Sequence, residues 1–456
     1  MKVDVIVIGT GQAGVPLAAR LTEAGKRVII VEKGHLGGSC VNVGCTPTKT
    51  MVASARAAHV ARSADRLGVK AADVGVDLAA VVDRKNEIVD QWRSGVGKRL
   101  ERAGDDLTLI EGAARFVGER EIEVAGDRHS ADIVIVNVGA RPSAPPIKGL
   151  DSVDWLDNET IMEVRQLPDH LLIIGGGYIA CEFGQMFRRF GSDVTIMQRS
   201  DHLVPREDVE ASEAIENVFR EEGIELVLGS EATEVEAAKG SITVHCTGGA
   251  EARGSHLLVA TGRVPNTDDL GCDAAGIELD ERGNIEVDDS FRTSAAGVYA
   301  LGDCTGGPQF THASWDDHRI LYEILMEGRE GGREGRITPS TVFTDPQIAQ
   351  VGLTEREAKE RGIEYEAASM PFGHIARAIE TDERAGTMKV LIDPKSERVL
   401  GASIVGYEAG ELIHVFLMLM MAGAPARALV DAQTVHPTLA EGLQSMVMKL
   451  DRYKLE

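Results

Sequence analysis

The chain has 456 residues, too long for one ordinary core, so two to four domains are expected. Hydrophobic residues make up 43% and charged residues 26%, a globular balance, and a formal net charge of −24 argues against nucleic acid or anionic membrane surfaces as partners. Six cysteines do not make a secreted disulfide framework, no leader precedes the first apolar run, and the longest apolar run, near 413–424, is shorter than the ~18–20 residues of a membrane span; a cytoplasmic location is expected.

Residues 3–8 form an apolar run of strand length, followed by Gly9-Thr10-Gly11-Gln12-Ala13-Gly14, a helix-like 15–24, and a second apolar run, 27–31, that ends at Glu32. Strand, glycine-rich turn, helix, strand and acid in that order read as a dinucleotide-binding unit. Gly9, Gly11, Gln12, Ala13 and Gly14 are the candidates for the pyrophosphate, because backbone N–H groups must approach it closely. Glu32, with Lys33 beside it, is the candidate for the ribose.

Next comes Gly37-Gly38-Ser39-Cys40-Val41-Asn42-Val43-Gly44-Cys45-Thr46-Pro47-Thr48-Lys49. On a regular helix, residues five apart have Cα atoms roughly 8 Å apart, from ~1.5 Å rise per residue. A disulfide needs about 4.4–6.8 Å, so pairing would require a bend, which Gly44 and Pro47 permit. A bond closing so short a loop would constrain the unfolded chain little, which suits a redox centre better than a staple. A zinc pair or an incidental buried pair is the other reading, although zinc usually takes about two to four intervening residues and a second ligand pair, which this sequence lacks.

The stretch resembles the redox signature of the flavin-dependent disulfide reductases, the class I pyridine nucleotide-disulfide oxidoreductases. That family includes glutathione reductase, dihydrolipoyl dehydrogenase and mercuric reductase. The resemblance implies a redox-active disulfide in which Cys40 meets substrate and Cys45 lies under the flavin of FAD. It places Gly38, Ser39 and Lys49 near the cofactor and pairs Lys49 with Glu182.

Further along, 50–66 and 79–103 read as helices, and 107–110 and 121–124 as strands. Ala114, after Gly112 and Ala113, resembles the turn that meets the adenine. The apolar run 133–136 leads into Asn137-Val138-Gly139, and Gly139 has a later counterpart in Gly262. Both resemble crossover segments that end the family's nucleotide-binding lobes.

The first unit then recurs. The run 171–174 leads into Gly175-Gly176-Gly177-Tyr178-Ile179-Ala180, a helix to about Phe190 and a strand at 193–197. Two such units imply two nucleotides, one resident and one exchanging, which FAD and a nicotinamide nucleotide satisfy. Gly175, Gly177 and Ile179 are candidates for the second pyrophosphate. Gln198 stands where Glu32 stands in the first unit; it is neutral, Arg199 follows, and Arg206 lies seven residues on. Arginine pairs with a 2′-phosphate that an acid would repel, so NADPH is expected ahead of NADH. Tyr178, by resemblance, lies over the flavin and yields to the nicotinamide.

The segment 293–303 resembles the second flavin motif, with Asp303 on the ribityl chain. Thr311 and Ala313 follow at the family's spacing for the flavin ring, reached through backbone N–H; His312 is assigned no role. Residues 328–336 read as a linker, and strands at 388–392 and 399–405 open onto a long apolar helix whose methionines, Met418, Met420 and Met421, read as core or subunit-interface packing. The charged 377–384 reads as a solvated loop. Late in the chain, His436-Pro437-Thr438 with Glu441 matches the family's base: an imidazole can move protons at a thiol, the carboxylate can hold its other nitrogen, and proline is tolerated at a helix start.

The expected fold is α/β: two Rossmann-like dinucleotide-binding domains, for FAD and NAD(P), plus a C-terminal α+β dimerisation domain. The segments are 1–148 and 267–336 for FAD, 149–266 for NAD(P), and 337–456 for dimerisation. The resemblance implies a homodimer in which His436 and Glu441 cross the interface. No resident metal is expected. Within the family the motifs lean toward mercuric reductases and the flavoproteins of reactive-chlorine resistance. Mercuric relatives tend to end in a vicinal cysteine pair and to carry tyrosine at the His436 position; this sequence has neither. The expected activity is therefore NADPH-dependent reduction of a disulfide or a soft metal ion, with dihydrolipoyl dehydrogenase and a flavin-binding redox sensor as alternatives.

Overall fold

The computed structural model describes residues 1–238 and 240–454. They divide into two units. The first comprises Met1–Thr50, Ala80–Ser143 and Gly262–Arg336; the second comprises Met51–Ala79, Ala144–Thr261 and Ile337–Glu456.

In the first unit, the strand Lys2–Ile8 lies between Val28–Glu32 and Asp127–Val136, parallel to both. Leu107–Glu111 extends one side in parallel, Val298–Ala300 pairs in parallel with Asp127–Val136, and Glu121–Val124 and Arg115–Gly118 complete a seven-stranded sheet in antiparallel fashion. The unbroken apolar runs have the composition of strands buried on both faces. Ile6, Ile29, Val134 and Ile135 are fully buried. The chain leaves the adjacent ends of Lys2–Ile8 and Asp127–Val136 in different directions, which opens a crevice at the carboxyl edge where nucleotides bind in such sheets.

The second unit repeats this arrangement on a smaller scale. Four parallel strands run in the order Glu225–Val227, Asp193–Met197, His170–Ile174 and His256–Val259. An antiparallel three-stranded meander, 232–254, accompanies them. The remainder is a five-stranded antiparallel sheet against which the helix Ala409–Met421 packs, around Phe372, Met388, Ile404 and Phe416. Met418 and Met421 stand exposed on that helix.

Two expectations need correction. Residues 377–384 are not a solvated loop: Ala376–Glu380 is a helix, and Glu383 accepts from the Arg56 guanidinium at 2.6 Å. Pro437 does not start a helix; it follows a cis bond from His436, and the helix begins at Glu441. No helix among the described residues is long and apolar enough to cross a membrane.

Candidate redox site

The glycines of the first turn are required by contact. A Cβ on Gly9, whose φ is +105°, would meet the Asn137 carbonyl oxygen at 2.3 Å, and one on Gly14 would meet the Gly9 oxygen at 2.1 Å. Asn137 also braces the turn through its side chain: its Oδ1 accepts from Gly14 N–H at 3.0 Å, and its Nδ2 donates to the Leu301 carbonyl at 3.0 Å. Glu32 is pinned by the turn it serves. One oxygen accepts from the Thr10 N–H at 3.0 Å and from its hydroxyl; the other accepts from Gly34 N–H at 2.8 Å. Lys33, next along, is exposed.

The dithiol loop packs onto this turn. A Cβ on Gly38 would lie 2.8 Å from the Gly11 Cα, and Gln12 Nε2 donates to the Gly37 carbonyl at 3.4 Å. Ser39 and Cys40 sit in the short helix Gly38–Asn42, and Cys45 opens the helix Cys45–Arg62. The bend falls at Val43 and Gly44. A Cβ on Gly44 would strike the Ser39 oxygen at 2.8 Å and press on the Cys40 Cα at 3.2 Å, so the chain doubles back there at a position only glycine fills. Asn42 staples the loop by donating to the carbonyls of Leu36 and Gly38 at 3.0 and 2.9 Å.

The two cysteines are not joined in this structure, and their side chains are hydrogen-bonded. Cys40 is half-buried and Cys45 is exposed. The bond to Cys45 holds the Cys40 thiol far above its ordinary range, and burial and the charge of the Cys45 sulfur add to this; the Thr311 hydroxyl and Lys49 pull the other way. Thr311, the first residue of the helix Thr311–Tyr322, places its Oγ1 3.1 Å from the Cys45 Sγ. Ala313 is buried in the same helix, and His312 stacks on Phe310 with ring centroids 5.2 Å apart.

Asp303 lies in the turn after the strand Val298–Ala300. Burial holds its carboxyl above the usual range against the pull of Arg263, whose guanidinium is 3.8 Å away. Gly139 and Gly262 both adopt positive φ, +67° and +153°, at the ends of their strands, and Ala114 packs against the core beneath the sheet.

In the second unit, Gly175 repeats Gly9: its φ is +111°, and a Cβ there would meet the Ala260 oxygen at 2.5 Å. Gly177 precedes the helix Tyr178–Phe190, which carries Tyr178, Ile179 and Glu182. Gln198 is buried, and its Oε1 accepts from the Arg199 N–H at 3.1 Å, leaving the Arg199 and Arg206 side chains exposed. The Tyr178 hydroxyl donates to Glu207, and Glu182 accepts from Phe343 N–H at 2.8 Å. Lys49 belongs to the first unit and Glu182 to the second. Near the C-terminus, His436 Nδ1 lies 2.9 Å from Glu441 Oε2, with the imidazole largely exposed.

Asn137, Thr10 and Glu207 escaped the sequence reading. Asn137 carried a usable signal, a polar residue directly after the apolar run 133–136. Glu207 carried none, because Arg206-Glu207-Asp208 looks like a solvated charge run.

Two nucleotide-type turns, one of them packed against a dithiol loop, define a redox protein built around nucleotide cofactors. The chain matches the model of the pyridine nucleotide-disulphide oxidoreductases over residues 3–317 and that family's dimerisation domain over 338–447, and it belongs to this family. It is 35% identical to a mercuric reductase of Lysinibacillus sphaericus over 98% of this chain and 83% of the relative. It is also 35% identical to a dihydrolipoyl dehydrogenase of Thermus scotoductus, over 98% and 97%. Among solved structures, the Cu(II) complex of the HOCl-induced flavoprotein disulfide reductase RclA from Escherichia coli superposes with a TM-score of 0.90 at 33% identity, covering 98% and 99%. The protein is thus an FAD-dependent oxidoreductase that uses NAD(P)H.

The residues fit FAD. The first turn leaves no room for side chains where a pyrophosphate must approach. Asp303 is a half-buried carboxylate whose nearest cationic partner is 3.8 Å away, an acceptor suited to the hydroxyls of a ribityl chain.

Proposed function

We propose that this chain is an NADPH-dependent flavoprotein reductase acting on a disulfide or a soft metal ion through Cys40 and Cys45. The observation that carries this reading is the hydrogen-bonded thiol pair beside Thr311, packed against the first nucleotide turn. FAD, when bound, supplies the two-electron carrier between nucleotide and sulfur. Glu32, Gly9, Gly11 and Gly14 hold its adenosine and pyrophosphate, and Asp303 its ribityl hydroxyls.

Cys40 attacks one sulfur of an oxidised substrate, forming a mixed disulfide and releasing the first thiol. Cys45 then attacks the Cys40 sulfur, which releases the second thiol and closes the Cys40–Cys45 disulfide. His436 of the partner subunit, held through Nδ1 by Glu441, moves the protons to the departing sulfurs. With a soft metal ion the two thiolates ligate it instead, and as the disulfide forms its electron pair passes to one Hg(II), giving Hg(0), or one electron each to two Cu(II) ions, giving Cu(I).

Arg199 and Arg206 select the 2′-phosphate of NADPH, and Tyr178 stands at the nicotinamide end. The FAD segments 1–148 and 267–336, the NAD(P) segment 149–266 and the dimerisation segment 337–456 divide this work. The L. sphaericus relative is named for mercury and the E. coli structure holds Cu(II), which keeps both ions among the candidates. Dihydrolipoyl dehydrogenase is the second reading, carried by the Thermus relative. Gln198 and Arg199 disfavour it, since NAD use favours an acid at that position. Turnover with NADPH and NADH against glutathione-type disulfides, lipoamide, Hg(II) and Cu(II) separates the two. Robust NAD-linked lipoamide activity would replace the first reading with the second.

A further inference from the structure

Glu207 is 4% exposed, and while one of its oxygens accepts the Tyr178 hydroxyl, its Oε2 has no hydrogen-bond partner among the described residues. A buried carboxylate left half-satisfied calls for an explanation. The loop carrying it is fixed on three sides. Val204 N–H donates to the Gly176 carbonyl at 2.7 Å, tying the loop to the second glycine turn. The Arg356 guanidinium donates to the carbonyls of Pro205 and Arg206 at 2.8 and 2.9 Å. Asp208 accepts from the backbone N–H groups of Glu355 and Arg356 at 3.2 and 3.3 Å. The Glu207 backbone is therefore held in place if the tyrosine moves.

Donor and acceptor are also fixed. Burial, then the Glu207 charge, pushes the Tyr178 phenol well above its ordinary range against the pull of the Ser340 hydroxyl, while burial also raises the Glu207 carboxyl; in the hydrogen bond between them the phenol donates. A hydrogen bond to a buried carboxylate is among the stronger kinds.

We propose that Glu207 is a latch: it holds the Tyr178 side chain in its resting position, and a nicotinamide dinucleotide must break that bond to seat its ring. This rests on the reading of Tyr178 as the residue at the nicotinamide end. A latch lowers apparent nucleotide affinity by the fraction of time the tyrosine is unlatched. The nicotinamide end is the same in NADH and NADPH, so the effect is common to both, unlike that of Arg199.

The test uses the FAD-loaded enzyme, with KM for NADPH and NADH and Kd for NADP+ and NAD+ titrated onto the oxidised protein. Tyr178→Phe and Glu207→Leu should each lower these constants about three- to tenfold for both nucleotides, and the double variant should go no further than either alone. Glu207→Gln, whose amide oxygen still accepts a phenol, should stay close to the parent. Additive effects, an effect confined to the phosphorylated nucleotides, or a Gln variant that behaves like Leu would overturn the latch. Should Glu207→Leu lose its flavin, Tyr178→Phe with Glu207→Gln still decides the matter: unchanged constants in Tyr178→Phe sink the latch. Tyr178→Ala separates the two readings, because constants unmoved by loss of the whole ring would remove Tyr178 from the nicotinamide end altogether.

Discussion

The Thr311 hydroxyl stands 3.1 Å from the Cys45 sulfur, although the two residues are 266 positions apart. It also pulls down the Cys40 thiol, against the bond to Cys45 and the burial that raise it. Thr311→Val keeps the branched shape and removes the hydroxyl, so Cys40 should give up its proton at higher pH. One hydrogen bond to a charged group is worth about 1.5 kcal/mol, so the shift should be about one pH unit. Iodoacetamide alkylation of the reduced enzyme, followed against pH, measures it. A profile that does not move would show that Thr311 matters only through its backbone.

Arg199 extends from a backbone N–H that is already held by the Gln198 side chain, which leaves its guanidinium free to meet solvent or a phosphate. Arg199→Glu should raise the NADPH KM at least about tenfold and the NADH KM far less, because the new carboxylate repels the 2′-phosphate alone. Equal changes for the two nucleotides would leave Arg199 with no phosphate to bind.

The sequence made the sheets and turns legible because their signals are local. Apolar runs such as Val28–Val31 report burial on both faces, and Gly9 and Gly175 mark positions where φ is positive and the backbone of another strand is close. The bend at Gly44 was legible for the same reason. What stayed hidden is what the fold brings together from far apart. Thr311 looked like a backbone contact, and its side chain meets a thiol. Asn137 bridges the first turn and the Leu301 carbonyl, 164 positions on, through one amide. The 377–384 segment looked solvated because charge was its only signal, and the partner that draws Glu383 inward, Arg56, is 327 residues away.

Lys389 gathers three carboxylates of the second unit, Glu355 at 2.7 Å, Glu210 at 2.8 Å and Asp208 at 3.8 Å. Burial pushes the Glu355 carboxyl up, but hydrogen bonds from Lys389, Lys359 and Tyr365 outweigh it and bring it down from 4.5 to about 2. A carboxyl depressed in the folded state stabilises it above the unfolded value, and that contribution is lost as pH falls from 4.5 toward 2. Lys389→Met leaves the acids without their shared cation. It should cost on the order of 2–3 kcal/mol near neutral pH and flatten the acid limb of the stability curve. Chemical denaturation at pH 7 and across pH 2–5 checks both, and an acid limb as steep as the parent's would assign that transition to other groups.

His436 turns Nδ1 toward Glu441 and leaves Nε2 as the nitrogen that can serve a sulfur. His436→Ala should lower disulfide turnover by about 100-fold or more, the usual weight of a positioned acid–base group. Glu441→Ala should lose part of that and Glu441→Gln less, because an amide oxygen still accepts from Nδ1–H. Which cysteines the imidazole serves can be decided by mixing subunits. A Cys40→Ser chain retains His436, and a His436→Ala chain retains Cys40. If the base crosses a two-fold interface, each hybrid dimer rebuilds one complete site, and random reassociation should restore about a quarter of the parent turnover. If the base serves its own chain, every site in the mixture lacks one partner and no activity returns. Recovery that rises with the hybrid fraction, measured after dissociation and remixing at several ratios, places His436 on the partner's thiols; a flat line near zero confines it to its own chain.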